Sequence, residues 1–268
     1  MAKQHFYSRV PAAGSLYNQA DGFDTFAQSE GLTREFIEKE LSAVYEEAVR
    51  TDTMPLVYSQ SCLRSGALVQ SCVSYFPKDY TGERSGYLCH SLILSEEDQQ
   101  KIFFEKDKAL LNPRMFKTGG VKLGKQQADD KYPEKAYVPV KAESAKTLLR
   151  QYDAGVLKGF LFGLLSVLCA KGKTVCFRLP YEEQEISEQA LQFISAISSV
   201  IPPQLRKNIS FVTYVSEPSQ YAHVKLKCIS ERFPEASLSK SIFVDFNADV
   251  VMGMPGQDVI DKAPVNFF

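Results

Sequence analysis

VLKGFLFGLLSVLCA, residues 156–170, holds only Lys158 and Ser166 as polar side chains. A helix made of it is apolar on nearly every side, which places it inside the protein. Leu161, Leu164, Leu165 and Leu168 are therefore expected to be almost inaccessible to solvent. The stretch leads into Thr174–Leu179, a β-branched and aromatic run, then into an amphipathic segment and a second such run, Ile209–Val215. Strand, helix and strand make a βαβ unit packed on the buried helix. In the amphipathic segment Ser187 is the expected N-cap, and Ala190, Leu191, Ile194, Ile197 and Val200 share one face until Pro202 and Pro203 end the helix. The strand after it alternates Val224, Leu226 and Cys228 with His223, Lys225 and Lys227, which predicts one wet face and a hairpin with Ile209–Val215. Ile242, Val244 and Phe246 give a last strand.

Upstream, Gln4–Val10 alternates weakly and reads as a first strand that Pro11 ends. A loop through Gly14 and Gly22 then reaches a helix at Arg34–Arg50, with Thr33 as N-cap and Phe36, Ile37, Leu41, Val44, Tyr45 and Ala48 on one face. Leu56–Gln60, Leu68–Phe76 and Tyr87–Leu94 are strand-like and joined by turn residues, which favours an antiparallel meander. Ser95 and Asp98 form a capping box for a short helix through Phe104. Between Glu105 and Lys141 the periodicity disappears, and nine Lys or Arg face five Asp or Glu; the segment reads as a solvated basic loop. The predicted class is α+β: an N-terminal antiparallel meander with flanking helices, then a C-terminal mixed sheet. The predicted division is 1–110, a loop or linker 111–141, and 142–268, the two outer parts separate or fused. The apolar ending VNFF suits one part of a longer polypeptide.

With 31 Lys and Arg against 32 Asp and Glu, the chain has no global field to draw nucleic acid or an anionic membrane. Its N-terminus carries no apolar signal segment, and its most apolar helix is shorter than the roughly 20 residues a membrane span needs. A cytoplasmic protein is expected. Cys62, Cys72, Cys89, Cys169, Cys176 and Cys228 stand singly in apolar segments, as reduced core thiols do. No cofactor or metal spacing is found. Gly119–Lys125 has the spacing of a phosphate-binding loop, but Gln126 stands where the Mg²⁺-binding hydroxyl belongs. Cys89 and His90 are adjacent on a strand and point to opposite faces, so the enzymatic alternative is a hydrolytic pair made by Cys62, Cys72 or Cys89 with His5 or His90 across a sheet.

Three stretches carry a family resemblance: HFYSR followed by DTFAQSEGL, then RSGYLCHSLIL, and IPPQLRKNISFVTYVSEP. They resemble the N-terminal domain of the GTPase-associated proteins of bacterial conflict and immunity systems. The resemblance implies a non-catalytic adaptor that binds a protein partner, a GTPase of the same system, and it brings no catalytic residues. The polar or amphipathic positions in or beside the matching stretches are Tyr7, Arg9, Ser29, Arg84, Tyr87 and His90, with Arg84 and Tyr87 as the expected partner anchors.

Overall fold

The computed structural model describes residues 1–45, 55–105, 107–119, 124, 127–142, 144–169, 174–217, 220–231, 233–234, 237–238 and 241–254. Its strands are β1 (Lys3–Val10), β2 (Gly22–Ser29), β3 (Val57–Cys62), β4 (Leu68–Phe76), β5 (Gly86–Leu94), β6 (Asp129–Tyr132), β7 (Val175–Arg178), β8 (Phe211–Val215), β9 (Leu226–Ile229), β10 (Ile242–Asp245) and β11 (Val250–Met252). They form one mixed sheet in the order β11-β10-β7-β9-β8-β3-β4-β5-β1-β2-β6. With the helices this is an α+β fold.

The meander is present: β4 runs antiparallel to β3 and β5, and each connection is short enough to force that sense. β1 extends it on the far side of β5. The stretch read as a loop around Gly22 is instead β2, paired with β1. It escapes a pattern reading because polar Thr25, Gln28 and Ser29 are buried along with Phe26 and Ala27. Thr33 caps the following helix, its hydroxyl accepting from the Phe36 amide at 3.2 Å. That helix runs through α1 (Arg34–Phe36), a π-helical turn (Ile37–Leu41) and α2 (Ser42–Tyr45); the expected residues 46–50 lie outside the described ones. The Ser95 capping box opens α3 (Glu96–Phe103), with Asp98 N donating to Ser95 Oγ at 3.2 Å.

Among its described residues, the segment around 105–141 lies only partly in solvent. Leu110, Leu111, Met115, Phe116 and Tyr137 are buried, and glutamines on the sheet fasten the covering chain. Gln70 Nε2 donates to Leu110 O at 2.5 Å and Gln4 Nε2 to Pro133 O at 2.6 Å. A buried amide that meets a main-chain carbonyl costs far less than one left unpaired, so these polar residues specify where the irregular segment sits.

α4 (Ala145–Leu149) precedes α5 (Ala154–Cys169), which Asp153 caps through its Oδ1 and the Val156 amide, 3.0 Å apart. Glycines let α5 lie close to the sheet: a Cβ on Gly159 would come within 2.9 Å of Val251 Cγ2, and one on Gly163 within 3.0 Å of Ile242 Cγ2. Phe160, Leu164, Val167 and Leu168 are buried, but the expectation of a fully enclosed helix is corrected. Leu161 is only half-buried, and Phe162 and Leu165 are 42% and 37% exposed, because the sheet covers α5 from one side.

α6 (Ile186–Val200) starts one residue before Ser187; its cap position is Glu185, and the buried Ser187 hydroxyl accepts from Thr213 Oγ1 at 3.1 Å. α7 (Pro203–Arg206) follows the two prolines. The βαβ connection from β7 through α6 ends at β8, with β9 seated between the two strands. The expected hairpin is overturned: β8 and β9 are parallel. The chain leaves the end of β8, doubles back under buried Tyr221 and Val224, and re-enters beside the start of β8, where Leu226 N donates to Ser210 O at 3.1 Å. A parallel strand between two others has no wet face, so Lys227 is buried and its ammonium donates to Gln220 O at 2.7 Å.

The halves of the sheet meet where β3 runs antiparallel to β8, Ser59 opposite Val212. Side chains reinforce the seam, with Tyr58 N donating to Thr213 Oγ1 at 2.9 Å and Gln60 Nε2 to Ile209 O at 2.8 Å.

Candidate functional site

Of the six positions carried by the resemblance, only Arg84 is exposed, on the connection between β4 and β5. Tyr7 is half-buried and stacks on Tyr45 with ring centroids 4.1 Å apart. Arg9, also half-buried, is ion-paired with Asp79 at 2.9 Å. Ser29 is enclosed and accepts from the Gln4 amide at 2.8 Å. Tyr87 is not the surface anchor expected of it: the side chain is buried and its hydroxyl donates to Tyr45 O at 2.8 Å. His90 is fully buried, stacked on Phe6 at 4.1 Å. The structure brings Tyr7, Tyr87, Phe23 and Tyr45 into one aromatic cluster, with His90 on the opposite face of the sheet.

His90 stands directly opposite Cys72 in the β4–β5 register, so a cross-strand Cys/His pair exists. Its chemistry does not suit a nucleophile. His90 Nε2 is 3.1 Å from Gln4 Oε1, and Nδ1 accepts from the Lys117 amide at 2.9 Å, which leaves no ring nitrogen to take a thiol proton. Burial, aided by Lys135 and Lys117, holds the imidazole down to about 3. His5 is likewise held to about 3 by burial, its Nε2 2.9 Å from Thr25 Oγ1. Burial pushes the Cys72 thiol up and the Cys89 thiol up to about 12, so neither supplies a thiolate. Cys62 and Cys169 are not core thiols; both are exposed at element ends. A disulfide-exchange reagent added to the native protein should accordingly label two thiols quickly and the other four only after denaturant is added. Rapid labelling of Cys72 or Cys89 would reopen the nucleophile reading.

In the phosphate-loop spacing, only Gly119 and Gly124 are described, both exposed; residues 120–123, 125 and 126 lie outside the described ones, as does the VNFF ending. Among the described residues no group of three His, Cys, Asp or Glu side chains is placed to hold a metal ion. None of the described helices is long and apolar enough to cross a membrane.

A concavity lies elsewhere among the described residues, at the carboxyl ends of β7, β8, β9 and β10, whose adjacent pairs are all parallel. The chain leaves β7 toward β8 on one side, and leaves the neighbouring β9 toward β10 on the other. In open parallel sheets such a switch in direction opens a crevice in which ligands bind. Here it is a cavity of about 450 Å³, lined by Arg178 from β7, Glu182 and Glu183 from the loop before α6, Tyr214 from β8, and Ser230 and Glu231 after β9. Arg178 Nη1 meets Asp245 Oδ2 at 2.8 Å, across two parallel strands in register, with side chains 14% and 8% exposed. Asp245 Oδ1 accepts from the Asn247 amide at 2.9 Å, so the carboxylate is held from both sides. The Tyr214 hydroxyl donates to Glu183 Oε1. Two donors are left over: Arg178 Nε and Ser230 Oγ are buried with no hydrogen-bond partner among the described residues. The sequence reading missed this site, although a strand-end arginine followed by LPYEEQE and a helix is the place a βαβ unit offers a ligand.

Comparison with known families gives two matches. Residues 1–119 match the family described as GTPase-associated protein 1, N-terminal domain type 2, and residues 142–248 match GTPase-associated protein 1, middle domain. A search of curated proteins finds no match. The first match ends after β5 and α3, in the segment that covers the sheet, and the second runs from α4 through β10. Together they take in both halves of the sheet, and the chain belongs to the GTPase-associated protein 1 family.

Proposed function

We propose that this protein is a cytoplasmic, non-catalytic adaptor that binds a GTPase and acts beside it in a bacterial conflict or immunity system. The observation that carries the reading is the pair of family matches, which name GTPase association over both halves of the sheet. The chemistry agrees with it: of the Cys/His pairs considered for hydrolysis, Cys72 with His90 stands directly cross-strand, and it has a protonated thiol and a fully hydrogen-bonded imidazole. A near-neutral chain gives no long-range steering toward polyanions, which suits a protein partner better than nucleic acid.

Arg84 is our choice of anchor, since it alone of the six positions projects from the fold, on a turn braced by the Arg9–Asp79 ion pair and by Asp79 N donating to Arg84 O at 2.5 Å. An exposed arginine makes a strong interface contact while adding little to the free protein. Arg84→Ala is expected to weaken the complex with the partner GTPase by about 1–2 kcal/mol in a calorimetric titration, with an unchanged melting temperature. Tyr87→Ala should instead lower the melting temperature. Unaltered binding by Arg84→Ala would remove the anchor, and failure of the wild-type chain to bind would remove the adaptor reading.

A further inference from the structure

We propose that the cavity at the carboxyl ends of β7–β10 is a binding site for a guanidinium group carried beside a carbonyl or carboxylate oxygen, as in arginine. Three observations converge on that chemistry. Glu182, Glu183 and Glu231 bring three carboxylates to the cavity, and Arg178, the one cation lining it among the described residues, is already paired with Asp245, so that described lining holds an excess of negative charge. Two of the lining residues, Arg178 and Ser230, each carry a buried donor, Nε and Oγ, with no hydrogen-bond partner among the described residues, and Ser230 is only 7% exposed. A donor in such a place is stabilised only by an acceptor, and a purely cationic ligand brings none. The ligand must therefore present positive charge toward the glutamates and an oxygen toward Arg178 and Ser230.

The choice among cations follows from shape. With no trio of metal-ligating side chains among the described residues, a bare divalent ion has no cage here. A planar guanidinium makes paired hydrogen bonds to carboxylates and lies flat on aromatic rings, and Tyr181 and Tyr214 line the same cavity. At about 450 Å³ the cavity accommodates one such residue together with its main-chain oxygen. The group can come from free arginine or from an arginine in a partner's peptide; the chemistry is shared, and this inference stands apart from the adaptor reading.

Calorimetric titration of the intact protein with L-arginine, with the tripeptide Gly-Arg-Gly, and with L-citrulline as the uncharged isostere tests it. Arginine or the tripeptide should bind saturably, and citrulline at least about tenfold more weakly, the worth of a charge-assisted hydrogen bond. Glu183→Gln combined with Glu231→Gln should lose at least about tenfold in affinity. Binding of the free amino acid alone identifies a metabolite site, and binding of the tripeptide alone a partner's side chain; either supports the proposal. No binding of either probe, or equal binding of citrulline by the wild-type protein, overturns it, and the citrulline comparison needs no variant to fold.

Discussion

Phe193→Ala should destabilise the protein by about 3–5 kcal/mol in denaturant melts, whereas Leu165→Ala, on the most apolar helix of the chain, should cost less than about 1 kcal/mol. The contrast follows from position. Phe193 on α6 is fully buried and meets Phe160, Phe177, Phe246 and Tyr152 with ring centroids between 5.0 and 5.5 Å. Truncation removes the transfer energy of a whole aromatic ring, leaves a cavity among four rigid neighbours, and cuts the cluster that ties α5 and α6 to β7. Leu165 lies on the outward stripe of α5 and loses little on truncation. Comparable losses for the two variants would show that the outer side of α5 is covered in solution.

Acid should unfold the protein earlier than its carboxylates alone require. His5 and His90 are buried, and their imidazoles are held down to about 3. The unfolded chain takes up a proton on each near pH 6.5, while the folded protein resists until far lower pH. A depressed histidine therefore leaves stability whole above about pH 6.5 and removes it as pH falls toward the folded value. Each group contributes a slope of about 1.4 kcal/mol per pH unit, so the pair should take roughly 2–3 kcal/mol per unit between about pH 6 and 4.5. His90→Asn should lower stability at pH 7.5, since the stack on Phe6 is lost, yet remove about half of that slope. A wild-type stability that is flat from pH 7 to 5 would mean that both rings are open to water, and half the expected slope that one of them is.

The parts of this fold that the sequence announces are those in which one local rule acts alone. Thr33 and Ser95 cap as capping residues do, and β4 and β5 are long β-branched runs between turns. The misreadings have a common physical origin in polar residues that are buried because a distant segment satisfies them. β2 was hidden by Thr25, Gln28 and Ser29, which pair with His5, Tyr17 and Gln4. β6, Asp129–Tyr132, is four polar or half-polar residues with no pattern at all. Lys227 alternated with apolar neighbours as a wet-face residue would, but its ammonium finds Gln220 O only once β9 is laid between β7 and β8. The reverse error was α5, whose composition cannot say that the sheet covers one side of it. The cavity was illegible for a topological reason: Arg178 and Asp245 are 67 positions apart and become neighbours only through the parallel pairing of β7 with β10.

The most direct measurement is GTP turnover by the purified chain, by a candidate partner GTPase, and by the two together, with the mass of the mixture read by light scattering. An adaptor should hydrolyse no GTP above the buffer rate on its own and should elute with the GTPase as one stoichiometric complex. Turnover by the chain alone, or two proteins that elute separately at every ratio, would contradict the reading.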